Sequence, residues 1–92
     1  MTRKDLVDRL YELEEGTLSR ARIAGLVDRM FEQLADGIVE EGRVSVPSFG
    51  TFTVHVRSAR VGRNPKTGEP IQLAESSTVR FKPSESLRER LR

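Results

Sequence analysis

The hydrophobic period of this chain changes at Gly42, and that change sets the fold class. Before Gly42 the apolar residues recur every three or four positions, the spacing of an amphipathic helix; after it they alternate, the spacing of a half-covered strand. The chain is therefore α+β, with helices first and an antiparallel sheet second.

The helical part is punctuated clearly. Thr2-Arg-Lys-Asp5 fits a capping box, in which the threonine hydroxyl and the acidic side chain satisfy helix amides reciprocally. Leu6, Val7, Leu10, Tyr11 and Leu13 follow on one face, and Gly16 is a natural stop. Thr17 or Ser19 caps a second helix of about six turns. Along it Ile23, Leu26, Val27, Met30, Phe31, Leu34 and Ile38 form a stripe, read as core rather than as a cofactor site. Two helices joined by so few residues are expected to pack as an antiparallel pair.

Beyond Gly42, Val44 and Val46 alternate with Arg43 and Ser45, and Pro47-Ser48 turns the chain into a second strand from near Gly50. There Phe52, Val54 and Val56 share one face while Thr51, Thr53, His55 and Arg57 share the other. A later strand turns Val79 and Phe81 inward and Arg80 and Lys82 outward. Pro83-Ser84-Glu85 starts a short final helix with Leu87 and Leu91 on its apolar edge. One sheet face is thus covered by helices and the polar face stays open.

Between these strands lies Arg57-Ser-Ala-Arg-Val-Gly-Arg-Asn-Pro-Lys-Thr-Gly-Glu69, in which Val61 is the one sizeable apolar group. Such a segment cannot bury itself. Because the inward residues on either side belong to one core, the segment must leave and rejoin one sheet, so it is a protruding β-hairpin arm of about residues 57–76 and not a linker. Some eight residues each way would reach roughly 25 Å. Residues 1–92 form a single domain on this reading, with 1–42 as a helical base, 43–83 as a three-stranded sheet bearing the arm, and 84–92 as the terminal helix. Without the arm, about seventy residues remain, a size at which a monomer is marginal, so dimerisation is expected. Phe49, Phe52 and Phe81 are the candidate interface residues.

Charge separates along the same boundary. Residues 1–41 carry six basic and ten acidic side chains, net −4, whereas residues 42–92 carry ten and four, net +6. The second half suits a polyanion. Thr53, His55, Arg57, Arg80 and Lys82 on the open face, continued by Arg60, Arg63 and Lys66 on the arm, suit duplex phosphates. At the tip, Asn64-Pro65 puts a donor-free ring at the end of a ribbon that fits a minor groove about 6 Å wide, with proline as a wedge. The same dipeptide is also a common loop initiator, and the pattern alone leaves both roles open.

Other chemistries find little support. There is no cysteine and one histidine, so no thiolate, zinc or haem site is expected, and no cofactor. His55 reads as a solvated strand position, with no inward carboxylate or serine to orient it for catalysis. The acids at positions 12, 14, 15, 40 and 41 solvate helix ends, and no convergent carboxylates point to an enzyme. No run approaches the roughly 18 apolar residues of a membrane span, and the N-terminus lacks a signal-peptide pattern, so a cytoplasmic protein is expected.

Phe49-Gly-Thr-Phe52, the arm run Arg57-x-x-Arg60-x-Gly-Arg-Asn-Pro-x-Thr-Gly-Glu69, and Phe81-Lys-Pro83 with Leu87 together resemble the bacterial HU and integration host factor family of nucleoid proteins. The likeness runs through essentially the whole chain, and the segment from Gly62 to Glu69 is its most characteristic part. The resemblance implies an intertwined dimer with helices as the base and sheets as a saddle, and two arms that embrace double-stranded DNA. It also implies a proline at each tip that intercalates to bend the duplex. Carried over by position, Arg57, Arg60, Arg63, Asn64, Pro65 and Lys66 are arm contacts, Arg80 and Lys82 lie on the saddle, and Arg3 reaches flanking phosphate. Phe49, Phe52 and Phe81 match the aromatic dimer core. His55 and Val61 stand where many members are basic, and Glu75, Ser77 and Glu85 also depart from the family pattern, so fewer phosphates are neutralised. The implied protein is a nucleoid-associated, largely non-specific DNA-bending dimer, a homodimer or a heterodimer. The alternative keeps the dimer but makes it a protein-interaction or structural-nucleoprotein module that prefers RNA or distorted DNA.

Overall fold

Helix α1 (Arg3–Leu13) begins at the expected capping box: the Thr2 hydroxyl accepts from the Asp5 N–H at 3.4 Å, and the Asp5 carboxylate accepts from the Thr2 N–H at 2.9 Å. In this computed structural model, which describes residues 1–92, α1 ends slightly before Gly16. The chain turns through Glu15 and Gly16, both in the left-handed region at φ 49° and 84°. Helix α2 (Arg20–Glu41) is capped by Ser19, whose hydroxyl accepts from the Arg22 N–H at 3.1 Å. Thr17, the other candidate, instead donates its hydroxyl back to the Glu14 carbonyl. Gly42, at φ 74°, ends α2 with its N–H on the Ile38 carbonyl at 2.9 Å.

The chain forms two compact units, Met1–Asp36 and Gly37–Arg92, with the boundary inside α2. In the first, Val7, Ile23 and Val27 are buried at 3–4% exposure, and Leu6, Leu10, Leu18 and Ala24 pack around them. These three are the only buried hydrophobic residues of the whole chain, so neither unit has the deep core that would stabilise a chain of this length unaided.

The second unit contains strands β1 (Arg43–Val46), β2 (Gly50–Arg57), β3 (Arg60–Arg63), β4 (Pro70–Leu73) and β5 (Ser76–Pro83), then helix α3 (Glu85–Arg90). An antiparallel sheet in the order β1-β2-β5 carries the body, and β3 pairs with β4 as a separate two-stranded ribbon. The turn between β1 and β2 closes with the Phe49 N–H on the Val46 carbonyl at 3.0 Å. Gly50 is required by space: a β-carbon there would lie 2.5 Å from both the Lys82 carbonyl oxygen and the Phe81 ring. Ser84 caps α3 by accepting from the Leu87 N–H at 3.1 Å. Leu87 is half-buried, but Leu91, its expected companion, is 80% exposed.

Register fixes which side chains share a face. Phe52 lies opposite Phe81 and Val54 opposite Val79, so the apolar residues of β2 and β5 are on one side. Phe49 joins them: its ring centroid is 5.2 Å from that of Phe81 and 6.4 Å from that of Phe52, and the Phe52 and Phe81 rings are 4.9 Å apart. The last turns of α2 meet the same side, where Ile38 and Val39 border an apolar groove with Val54 and Val79. Phe49, Val56, Val79 and Phe81 nonetheless keep 42–52% of their surface exposed. No helix is long and apolar enough to cross a membrane.

Candidate nucleic-acid interface

The opposite face of the three-stranded sheet is polar by the same parity. Arg43, Thr53 and Arg80 form one row across β1, β2 and β5, and Ser45, Thr51 and Lys82 form the next. His55 opposite Thr78 and Arg57 opposite Ser76 continue this face toward the arm. Antiparallel pairing puts directly opposed side chains on the same side about 5 Å apart, so these rows gather Arg43, Arg80, Lys82 and Arg57 on one cationic face. No cation on it is in an ion pair.

Arg57 is the last rung of the body, not part of the arm ladder. Pairing lapses at Ser58–Ala59 on one strand and Ala74–Glu75 on the other, then resumes with Arg60 opposite Leu73. The arm segment is a separate ribbon, joined to the body by an unpaired step of two residues on each side. Within the ribbon, Arg60 and Gly62 face with Leu73 and Ile71, whereas Val61 and Arg63 face with Gln72 and Pro70. Arg60 and Arg63 therefore project from opposite faces, which suits a groove with phosphates along both walls. Gly62 is covered by Leu73, whose Cδ1 would lie 2.8 Å from an added β-carbon.

The tip is a tight, internally bonded loop. The Asn64 N–H donates to the Glu69 carbonyl at 2.8 Å, and the Gly68 N–H to the Asn64 carbonyl at 2.7 Å, with Gly68 at φ 75°. The Asn64 side-chain oxygen accepts from the Lys66 N–H at 2.9 Å, an Asx turn that holds the exposed Pro65 at the apex. This leaves the Asn64 amide NH2 free to donate outward, and Arg63 and Lys66 exposed on either side.

Arg3 belongs to the other unit and has a different environment. Its guanidinium grips Asp28 with two bonds, Nε to Oδ1 at 2.6 Å and Nη2 to Oδ2 at 2.8 Å. Those hydrogen bonds raise the guanidinium pKa further and hold the Asp28 carboxyl below its ordinary range. Its charge is locally compensated, so a phosphate would have to compete with a carboxylate for it. Arg20 is likewise paired with Asp8 and lies 4.7 Å from the centre of the Tyr11 ring.

Two cations beyond the expected set lie beside those of the polar face. Arg43 sits on the polar face opposite Thr53, a placement already implied by its alternation with Val44 and Val46. Arg88 of α3 borders the same hollow as Arg43, Thr53 and Lys82, together with Glu85. Nothing in the spacing of the sequence signals that position.

A family described as bacterial DNA-binding protein matches residues 1–92. The chain belongs to that family. Among its relatives, an integration host factor subunit alpha from Ruegeria pomeroyi is 42% identical over 99% of this chain and 89% of its own length. An integration host factor subunit beta from a Shewanella strain is 36% identical over 99% of this chain and 95% of its own length. Among solved structures, HU of Anabaena in a cocrystal with DNA superposes with a TM-score of 0.80 at 25% identity, covering 99% of this chain and 97% of that one. An HU mutant from Thermotoga maritima shares the fold, with a TM-score of 0.68 at 17% identity over the whole of both chains.

Proposed function

We propose that the chain is a non-catalytic architectural protein of the bacterial nucleoid. Two copies pair through their exposed apolar surfaces, hold a duplex against the cationic faces of their sheets, and lay the arms along the minor groove. Pro65 wedges into a base step and bends the DNA. The observation that carries this reading is the register of the three-stranded sheet, which aligns Arg43, Arg80, Lys82 and Arg57 on one face with no acidic partner. A row of cations recognises the backbone without reading bases, so little sequence specificity is expected.

The arm supplies the deformation. Its ribbon carries Arg60 and Arg63 on opposite faces, and its Asx turn presents a ring without an N–H at the apex. Apolar wedging from the minor groove is the general behaviour of architectural proteins, a class to which HU and integration host factor themselves belong. The free Asn64 amide can donate to the adenine N3 and thymine O2 acceptors that line that groove. The pairing of two copies is supported by the exposed Phe49 and Phe81 and by the thin core of one chain.

Fluorescence transfer across an end-labelled short duplex tests the wedge. Pro65→Ala is expected to reduce the bend more than it reduces affinity. An unchanged bend would mean that the proline only shapes the turn.

A further inference from the structure

We infer that His55 is a proton-linked phosphate contact, so that the protein binds duplex DNA more tightly as pH falls below neutrality. This rests on the DNA-binding reading above and adds a residue and a dependence to it. The register decides the placement: His55 pairs with Thr78, between the Thr53–Arg80 and Arg57–Ser76 rungs, all on the polar face. It is half-buried and borders an open hollow with Arg57 and Arg60, where the body sheet gives way to the arm.

The surroundings say what the imidazole can pair with. On its own strand the nearest charged neighbour on that face is Arg57; from β5 the face carries Arg80 and, farther along, Lys82, and from β1 it carries Arg43. The hollow adds Arg60. Glu75, in the unpaired return of the arm, and Glu41, just before β1, form no ion pair with it, and both ion pairs of the chain lie elsewhere. No carboxylate engages the ring, so the anion that meets an imidazolium here is a DNA phosphate. Histidine is the side chain whose ordinary charge change falls between about pH 5 and 8. The ring takes a proton from solvent and donates the new N–H to a phosphate oxygen. A complex that contains one more bound proton than its separated parts gains affinity as pH falls.

The chain has one histidine, which makes the test clean. Binding of the full chain to a labelled duplex is titrated by fluorescence anisotropy over a series of salt concentrations, at about pH 6 and about pH 8, either side of the imidazole range. The wild type is expected to bind about three- to tenfold more tightly at the lower pH, the size of one charge-assisted contact at a partly exposed site. Its log affinity against log salt is expected to steepen by about 0.9 for each phosphate newly neutralised. H55Q should lose this difference, and H55K should bind with the steeper slope at both pH values. Wild-type affinity that does not change with pH, or an H55Q variant that keeps the full wild-type difference, would overturn the role of His55 while leaving the DNA-binding reading intact. No binding by the wild type at either pH would overturn that reading and this inference together.

Discussion

Residues 1–36 and residues 37–92 handle charge differently. In the first unit, two of the six basic side chains are answered from within: Arg3 by two bonds to Asp28, and Arg20 by Asp8 and the Tyr11 ring. In the second, no basic side chain forms an ion pair, although strand register lines several of them along one face. The same contrast holds for burial, since Val7, Ile23 and Val27 are enclosed in the first unit while the three mutually tilted phenylalanines of the second stay partly open. The second unit is unfinished on both sides of its sheet. Its apolar face stays partly exposed and its polar face carries cations without ion pairs, and period-two alternation is what lets eight-residue strands present both.

The largest effect should come from the apolar side. Phe81→Ala removes the ring that meets both Phe49 and Phe52, and should cost about 3 kcal/mol and shift the chain toward single copies. Denaturant unfolding and sedimentation at several concentrations would check this; a stable, fully paired variant would contradict the assignment of that face. Close behind is Gly50→Ala, which forces a β-carbon onto the Lys82 carbonyl and the Phe81 ring and should cost about 1–3 kcal/mol in thermal unfolding.

On the polar side, Arg80→Ala with Lys82→Ala should weaken duplex binding at least about tenfold and flatten the salt slope by about 0.9 for each phosphate that is no longer neutralised. Arg20→Ala, which removes a cation already paired in the first unit, should leave affinity within about twofold. Equal reductions in the two variants would erase the contrast between the units.

The smallest effect concerns acid stability. The Asp28 carboxyl is held below its ordinary range by its hydrogen bonds to Arg3, so the folded state keeps it ionised where the unfolded chain would protonate it. The contribution is fully present above the unfolded value of about 3.9 and is lost as pH falls through the lowered folded value. Arg3→Ala should therefore narrow the difference in melting temperature between neutral and acid conditions, and leave a melt at high salt almost unchanged.

Parity made much of this legible beforehand. The alternation of Phe52, Val54 and Val56 with Thr51, Thr53 and His55 was enough to separate the two faces, and the switch at Gly42 divided helix from sheet. Arg43 follows from the same rule once the register with Thr53 is known. The pause at Ser58–Ala59 was not legible, because a lone serine, the weakest of the turn formers, followed by alanine does not mark a break in a ladder. The Arg3–Asp28 pair joins residues far apart in sequence through the relative rotation of two helices, which no spacing rule encodes. Arg88 escapes for a similar reason, since a cation on a short helix reads as ordinary solvation until the strand beside it is placed.

The most direct test of the central claim is a salt titration of binding to a short mixed-sequence duplex. If an uncompensated cationic sheet and arm bind phosphate, log affinity should fall linearly with log salt, with a slope of several units at about 0.9 per neutralised phosphate. A flat response would contradict the account.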